Sequence, residues 1–359
     1  MNTYRPAKRI SDQPGIHAYF DVIPESPDGE MVTWFAFDGK PLTAGKVMLA
    51  ERDGSYPVEV KGCNGSAHVG ARQGWLDEDH IYFSAAGCIY IADRKGKVVD
   101  KLAGAIDTIH QGSRRGLTHS ACLRGSGGRS PEKKACYRID IDTGELIELL
   151  DLDRAAALLA EHADLTGVPR ETLAFKHTKW APDGRQWIVV LTNEGYRRKV
   201  DSSVPRIKVI LAADENGDDL RFIDSFGHHP NWMPDSSGIY AFAGPKTVFF
   251  WNERGGGKRS MAEPPCEGHP CVSPNLQWMS TDACGYPGKD KAAVVLCGIH
   301  SGAVEILAEM DYPVVQWQTG HPPGRVCHPH PVWSPDGGRL YFNAIEGRMP
   351  FLYSMAIEF

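Results

Sequence analysis

Two histidines stand two residues apart in the segment VCHPHPVWSPDGGRLYF, residues 326–342. Side chains at positions i and i+2 of an extended strand point to the same face. The spacing therefore predicts that His328 and His330 present two imidazoles side by side, just before a Pro-Asp-Gly turn. Imidazole is the commonest neutral protein ligand for first-row transition metals. The pattern indicates a binding site or a metal site at this point of the chain.

Three further histidines share the position of His330 relative to its turn. His177, His229, His269 and His330 each lie five residues before the proline of a turn, and only the first such unit departs, with Val22 at this position. If the units are equivalent, these positions lie on equivalent strands and point to one ring around a central channel. We therefore expect the four imidazoles to converge at one mouth. Three histidine ligands with open coordination positions are typical of a catalytic metal.

The elements that must position these histidines repeat along the chain. Two units, 74–99 and 116–149, lack the turn motif but keep the order of β-rich runs. The motif itself occurs as SPDG at 26–29, APDG at 181–184, MPDSSG at 233–238, SPN at 273–275 and SPDG at 334–337. About seven units of three or four short strands favour radial repetition. The sequence thus predicts an all-β fold, a seven-bladed β-propeller.

The remaining segments fit around these blades. The stretch 151–167 has apolar residues at helical spacing, which predicts a short helical insertion between blades three and four. A strand around residues 16–22 is expected to close the ring by pairing with the last blade. No linker divides the chain, so residues 1–359 are interpreted as one β-propeller domain.

Composition narrows the classes of partner. The 359-residue chain has a formal net charge of -6 and no basic run, so nucleic acid is not an expected partner. No apolar stretch approaches the roughly 18 residues of a spanning helix, and the N-terminal residues show no secretory h-region. These features predict a cytoplasmic protein without a membrane partner. The nine scattered cysteines form no C-x-x-C pair and are expected to be reduced thiols.

Three segments, GHHPNW (227–232), GHPCVSP (268–274) and HPHPVWSPDG (328–337), resemble the oligogalacturonate lyase family. The resemblance covers the chain from about residue 170 to its end. It implies a seven-bladed propeller with an axial manganese ion held by three histidines and one glutamine. His269, His328 and His330 match the three histidines, whereas Arg325 stands at the position of the glutamine. Arginine cannot ligate a metal, so either three histidines and water hold the ion, or the site lacks a metal and Arg325 binds a substrate carboxylate.

The resemblance also implies roles for residues of the central blades. Arg206 matches the proton-abstracting arginine of the family, His229 a histidine near it, and His177 a further active-site histidine that would contact the substrate. The implied substrate is a small acidic oligosaccharide, cleaved by β-elimination after loss of the C5 proton beside a carboxylate. Because the pKa of a free guanidinium exceeds about 12, His229 or His177 is an equally good candidate base on chemical grounds.

Two other functions are compatible with the same residues. The arginine at position 325 could indicate a propeller lyase for another uronate substrate, of the ulvan or rhamnose–glucuronate type, that works without a catalytic metal. A non-catalytic propeller that binds a ligand or a protein at its mouth is the alternative from a different class. A chromophoric unsaturated product would distinguish the lyases from the binding propeller.

Overall fold

The structure is a computed structural model that describes residues 3–4, 6–125, 133–315, 324–325 and 327–358. Seven antiparallel sheets of short strands follow one another along the chain, and the fold is a seven-bladed β-propeller, as predicted. In the described residues, no helix is both long enough and apolar enough to cross a membrane.

The chain divides into two compact units, residues 1–101 with 262–359 and residues 102–261. The first unit carries blades 1, 2, 6 and 7, and the second carries blades 3, 4 and 5. The boundaries fall in the last strand of blade 2 and at the last residue of blade 5. The prediction of one domain over residues 1–359 stays a prediction.

In the first unit, each blade is an antiparallel sheet whose strands pair in chain order. The strands are Gly15–Ile16, Met31–Phe37, Ala44–Glu51 and Val58–Asn64 in blade 1; Gly74–Trp75, His80–Ala85, Cys88–Asp93 and Val98–Ala103 in blade 2; Cys271–Val272, Trp278–Cys284, Lys291–Gly298 and Val304–Asp311 in blade 6; and Val332–Trp333, Arg339–Glu346 and Met349–Glu358 in blade 7. A separate two-stranded ribbon joins Val314–Val315 to Gly324–Arg325.

The N-terminal segment completes blade 7, but not with the predicted residues. Thr3–Tyr4 and Lys8–Arg9 both pair antiparallel with the last strand, Met349–Glu358. The predicted closing strand around residues 16–22 is wrong, because Gly15–Ile16 pairs with Met31–Phe37 as the first strand of blade 1. Gly15 permits this pairing, since a Cβ there would lie 2.8 Å from the carbonyl oxygen of Phe35.

The second unit is built in the same way, with helices in its connections. The strands are Thr108–His110, Arg115–His119, Ala135–Asp140 and Leu146–Asp151 in blade 3; Ala174–Trp180, Gln186–Thr192, Lys208–Asp214 and Arg221–Ser225 in blade 4; and His228–Trp232, Gly238–Gly244, Thr247–Asn252 and Arg259–Ala262 in blade 5. The α-helices are Ser120–Gly125, Leu152–Ala160 and Glu194–Lys199, and the 3-10 turns are Gln111–Ser113 and Arg170–Thr172.

The helical insertion lies between blades three and four, as predicted, but its α-helix is limited to Leu152–Ala160. Asp151 begins the helix as N-cap, because its side chain accepts a hydrogen bond from the backbone N–H of Arg154. Leu152, Ala155 and Leu159 form the buried face of the helix.

The Pro-Asp-Gly turns join the first and second strands of blades 1, 4, 5, 6 and 7. In each turn the N–H of the fourth residue donates to the carbonyl of the first, in the pairs Gly29–Ser26, Gly184–Ala181, Ser236–Met233, Leu276–Ser273 and Gly337–Ser334. The fourth residue has a positive φ, between 61° and 75°, in all five turns. This conformation favours glycine, which explains why the motif ends in glycine and why its Ser236 and Leu276 forms are departures from it.

Large aromatic side chains fill the core between the strands of each unit. Trp75 and Trp333 are fully buried in the first unit, and Trp187 and Trp251 in the second. Within each unit, first strands of successive blades contact one another, as between blades 3 and 4, 4 and 5, and 6 and 7. Of the four histidines in register, His177 and His229 lie in these first strands, and His269 and His330 lie two residues before them.

Candidate metal centre

Four side chains of the first unit bring metal-ligating atoms together. One ligand atom from each of His269, Asp282, His328 and His330 lies within 4.8 Å of the others. The predicted ligands His269, His328 and His330 are thus brought together, and Asp282 is a member that the sequence reasoning missed. The ring centroids of His269 and His330 are 4.3 Å apart, and those of His269 and His328 are 5.1 Å apart.

The segment that carries His328 and His330 is not an extended strand. Pro329 and Pro331 have no N–H, so they cannot pair in a sheet, and the first strand of blade 7 begins only at Val332. His330 has a φ of 47°, a left-handed conformation that costs a non-glycine residue about 1–2 kcal/mol. The two imidazoles do lie side by side, as predicted, with stacked rings whose centroids are 5.5 Å apart. The bent backbone of this loop brings them together, however, and not the alternation of side chains along a strand.

Asn343, in the second strand of blade 7, holds this loop in place. Its backbone N–H donates to the carbonyl of Pro329 at 2.8 Å, and its side-chain amide donates to the carbonyl of His328 at 3.3 Å. Its Oδ1 accepts the backbone N–H of His17 at 3.0 Å. The buried Asn343 therefore holds two backbone segments in place, the one that carries His17 and the one that carries His328 and His330.

Asp282 orients the ligands from behind. Its Oδ1 accepts from the backbone N–H of His269 at 2.8 Å and from His269 Nδ1 at 3.0 Å, and its Oδ2 accepts from the same Nδ1 and from the backbone N–H of His330, both at 3.0 Å. These contacts already use the lone pairs of the carboxylate. A carboxylate that accepts from Nδ1 fixes the proton there and leaves Nε2 of His269 as the ligand atom. We therefore assign Asp282 to orienting His269 and not to binding the metal.

Gly268 explains the glycine in the GHP motif. A Cβ at this position would lie 1.7 Å from the carbonyl oxygen of Asp282 and 2.5 Å from its Oδ1. Only glycine allows the backbone before His269 to come this close to the strand that carries Asp282. The glycine of the motif is therefore required by the close approach of Asp282, whose carboxylate orients the next residue, His269.

Buried side chains of residues 17–20 contact the imidazoles of the centre or the backbone that carries them. His17 is fully buried, and its Nε2–H donates to the carbonyl of His330 at 2.7 Å. Tyr19 stands edge-on to His330 at 4.8 Å between ring centroids, and Phe20 lies 5.2 Å from His269. These contacts fix the rings and exclude water from one side of the centre.

His68 lies beside the centre and was not singled out from the sequence. Its ring centroid is 4.9 Å from that of His330 and 5.3 Å from that of His328, although the residue as a whole is exposed. Desolvation of the ring, followed by the neighbouring imidazoles of His328 and His269, lowers the pKa of His68. A further imidazole therefore lies beside the centre, on a residue that is exposed to solvent.

The electrostatics of the centre favour neutral imidazoles at His328 and His330 and a charged carboxylate at Asp282. Burial and the adjacent imidazoles lower the pKa of His330 well below its ordinary value, and burial lowers that of His328 and takes that of His17 to about 4. Burial opposes ionisation of Asp282, but its contacts with His269 outweigh this and lower the pKa of the carboxyl. Neutral imidazoles beside a carboxylate are the protonation states that metal binding requires.

The residues present fit a divalent transition metal. His330 is fully buried, and in the described part of the chain neither of its ring nitrogens has a hydrogen-bond partner. A buried, unpartnered polar atom is costly to the fold, and a metal ion would give it a partner. Arg325, at the place of the expected glutamine, belongs to a described strand, but its side chain lies outside what the structure describes.

The other predicted site residues belong to the second unit. His177 and His229 have φ values of 55° and 50°, close to that of His330, so three of the four histidines in register share a left-handed backbone. The ring centroids of His177 and His229 are 6.4 Å apart. The structure therefore brings this pair together, and separately brings together the ligands of the first unit.

Arg206 lies in a cluster of charged groups of the second unit. Its Nη2 is 2.5 Å from Glu194 Oε1 and 3.0 Å from His228 Nε2. Lys208 Nζ lies 2.6 Å from His228 Nδ1 and 3.2 Å from Glu194 Oε2. The histidine in contact with Arg206 is thus His228, the neighbour of the predicted His229.

Comparison with known proteins supports the fold. No protein-family model matches the chain, and no curated protein matches it. Among solved structures, oligogalacturonate lyase from Vibrio parahaemolyticus is similar with a TM-score of 0.68 at 16% identity, over 97% of this chain and 92% of that one. An oligogalacturonate lyase in complex with manganese is similar with a TM-score of 0.68 at 15% identity, over 99% and 96% of the two chains.

A further similarity shows that the architecture is shared with proteins of other kinds. A chain of the mitotic checkpoint complex matches with a TM-score of 0.54 at 14% identity, over 98% of this chain and 92% of that one. At these identities the similarities establish the fold and not the activity. The chain is therefore a seven-bladed β-propeller of the kind found in oligogalacturonate lyases, with a cluster of histidines able to hold a metal and an aspartate that orients one of them.

Proposed function

We propose that the protein is a metal-dependent lyase that cleaves short uronate-containing oligosaccharides by β-elimination. The observation that carries this proposal is the convergence of His269 and His328 on the buried imidazole of His330, whose ring nitrogens have no hydrogen-bond partner among the described residues, with Asp282 behind them. His269, His328 and His330 would hold the ion, and manganese is the metal we propose. When bound, such a cation supplies positive charge for the carboxylate on which negative charge develops.

The reaction needs few groups from the protein. A base takes the C5 proton of the uronate, the C4–O bond breaks as a C4–C5 double bond forms, and the departing glycosidic oxygen takes up a proton. The residues of the centre serve this chemistry by their placement: Asp282 keeps the proton on His269 Nδ1, and His17 fixes the backbone of His330. We also propose that His177 and Arg325 contact the substrate, as expected from the sequence.

We assign proton acceptance to His229 and not to Arg206. The guanidinium of Arg206 is ion-paired with the carboxylate of Glu194, and an opposite charge at this distance stabilises the cation. A guanidinium that stays charged can bind a substrate carboxylate, but it cannot accept a proton. An imidazole can accept a proton near neutral pH.

We therefore predict different effects for variants at these two positions. His229→Ala should lower kcat by about 10²–10⁴-fold, the usual contribution of a general base. Arg206→Lys keeps the charge and should lower kcat by less than about tenfold. Steady-state kinetics on digalacturonate measure both, and a larger kcat loss for Arg206→Lys than for His229→Ala would return the base role to Arg206.

The direct test of the proposed function is formation of an unsaturated uronate. Purified protein is mixed with digalacturonate or with other uronate disaccharides, and ultraviolet absorbance of the product is followed with manganese, without it and after chelation. We expect a rise on digalacturonate that the chelator abolishes. A rise only on another uronate and insensitive to chelation would identify a metal-independent lyase, and no rise on any substrate would overturn the proposal in favour of a binding propeller.

The lowered pKa values predict how metal binding depends on pH. An exposed imidazole with a pKa near 6.5 is only about one-tenth neutral at pH 5.5, so three exposed ligands would together lose about a thousandfold in affinity. His328 and His330 have lowered pKa values and stay neutral further into the acid range. We expect the manganese Kd at pH 5.5 to be within about tenfold of that at pH 7.5. Calorimetric titration at the two pH values measures this, and a thousandfold loss would contradict it.

A further inference from the structure

The cluster around Glu194 in the second unit carries more positive than negative charge. Glu194 is ion-paired with both Arg206 and Lys208. Burial lowers the pKa of Lys176, and the nearby cations Arg198 and Lys199 lower it further. Glu194 is the carboxylate that the described contacts place among these cations. In a chain whose net charge is -6, this local excess of cations marks a place for an anion.

Lys208 is the most constrained of these cations. Its side chain is only 9% exposed, and its ammonium lies between the ring of His228 and the carboxylate of Glu194. A nearly buried ammonium requires a close anion. Glu194 meets this need while it also serves Arg206, so a single carboxylate is shared by two cations.

An exposed aromatic ring lies at the same cluster. Phe226 is 51% exposed, and the guanidinium of Arg206 lies 5.6 Å from its ring centroid. Its φ of 61° is left-handed, and its N–H is anchored to the carbonyl of Lys208 at 2.6 Å. The backbone thus keeps a large apolar ring in solvent at a cost in strain, which indicates a binding role.

We infer that this cluster is a subsite for one hexuronate residue of an acidic oligosaccharide. The sugar carboxylate takes the place of the Glu194 carboxylate between Arg206 and Lys208, and Phe226 packs against the apolar face of the sugar ring. In the absence of substrate, Glu194 is the anion paired with both cations. It therefore competes with the sugar carboxylate for Arg206 and Lys208. The inference rests on the proposed function for the class of sugar, but not for the charge and shape of the subsite.

Because Glu194 competes with the ligand, its removal should strengthen binding, whereas removal of a cation should weaken it. Binding of trigalacturonate and of its carboxyl-reduced, neutral counterpart is measured by calorimetry on metal-free protein in chelator, where no elimination is expected. Wild-type protein should prefer the acidic trisaccharide. Glu194→Gln should bind it about tenfold more tightly, because the internal competitor is gone, whereas Lys208→Gln should bind it at least about tenfold more weakly.

Phe226 and an unrelated ion pair supply the controls. Phe226→Ala should weaken binding by about tenfold and Phe226→Tyr should restore it. Lys291→Gln, which breaks the exposed pair of Lys291 with Asp311, should leave binding unchanged. Weaker binding by Glu194→Gln, or equal binding of the neutral trisaccharide, would overturn the inference. Elimination with none of these effects would refute the subsite alone, and these effects without elimination would refute only the proposed lyase.

Discussion

His330→Ala should abolish manganese binding while the propeller stays folded. His330 is one of the three clustered imidazoles, with its ring centroid 4.3 Å from that of His269 and 5.5 Å from that of His328. Without it, two imidazoles remain, which is below the three protein ligands typical of catalytic sites. We expect affinity to fall by at least about a hundredfold, and turnover on digalacturonate to fall with it.

The fold should survive because of the environment of His330. The substitution removes two buried ring nitrogens that have no hydrogen-bond partner in the described part of the chain, so the lost packing is partly offset by the removal of an unsatisfied polar group. The measurements are calorimetric titration with manganese, turnover and thermal unfolding of the metal-free protein. His300→Ala, at an exposed turn, is the matched control and should match wild type. Wild-type manganese affinity in His330→Ala would place the metal, if any, elsewhere.

The sequence predicts five of the seven blades well because one local interaction marks them, and the other two follow from the same order of β-rich runs. Each Pro-Asp-Gly turn needs a left-handed fourth residue and a carbonyl three residues earlier, so the signature reports a fixed geometry. The same turns set the register of the histidines before them. That register predicted which imidazoles share a position, and His177, His229 and His330 do share a left-handed backbone.

The parts of the centre that the sequence did not predict are those set by contacts between distant segments. Asp282 lies in the strand Trp278–Cys284, whose other residues are apolar or small, and a charged residue in such a buried strand is a signal that could have been used. His68 and His17 lie outside regular strands, where no periodicity indicates a direction. The closing strand was misplaced for a similar reason, since two-residue strands such as Lys8–Arg9 leave no pattern.

Asp282→Asn should lower manganese affinity although Asp282 is not itself assigned as a ligand. An asparagine has one acceptor oxygen and one amide nitrogen, so it cannot accept from His269 Nδ1 and from the backbone N–H groups of His269 and His330 as the carboxylate does. At least one of these three N–H groups would then face the amide nitrogen of the asparagine, which is itself a donor. The ring of His269 loses the partner that fixes its tautomer, and we expect affinity to fall by about 10–100-fold.

The same substitution should change the dependence of stability on pH. Contacts with His269 hold the pKa of Asp282 below its usual range, so its ionised form stabilises the native state above the unfolded pKa of about 3.9, and this stability is lost as the pH falls through the folded value. Asp282→Asn should therefore lower the free energy of unfolding at pH 7 by about 1–3 kcal/mol and have a smaller effect in strong acid. Asp311→Asn, in the exposed pair with Lys291, should change neither affinity nor stability measurably. Because an orienting carboxylate affects both quantities and a distant surface charge affects neither, unchanged metal affinity in Asp282→Asn would show that the position of His269 is set by the backbone alone.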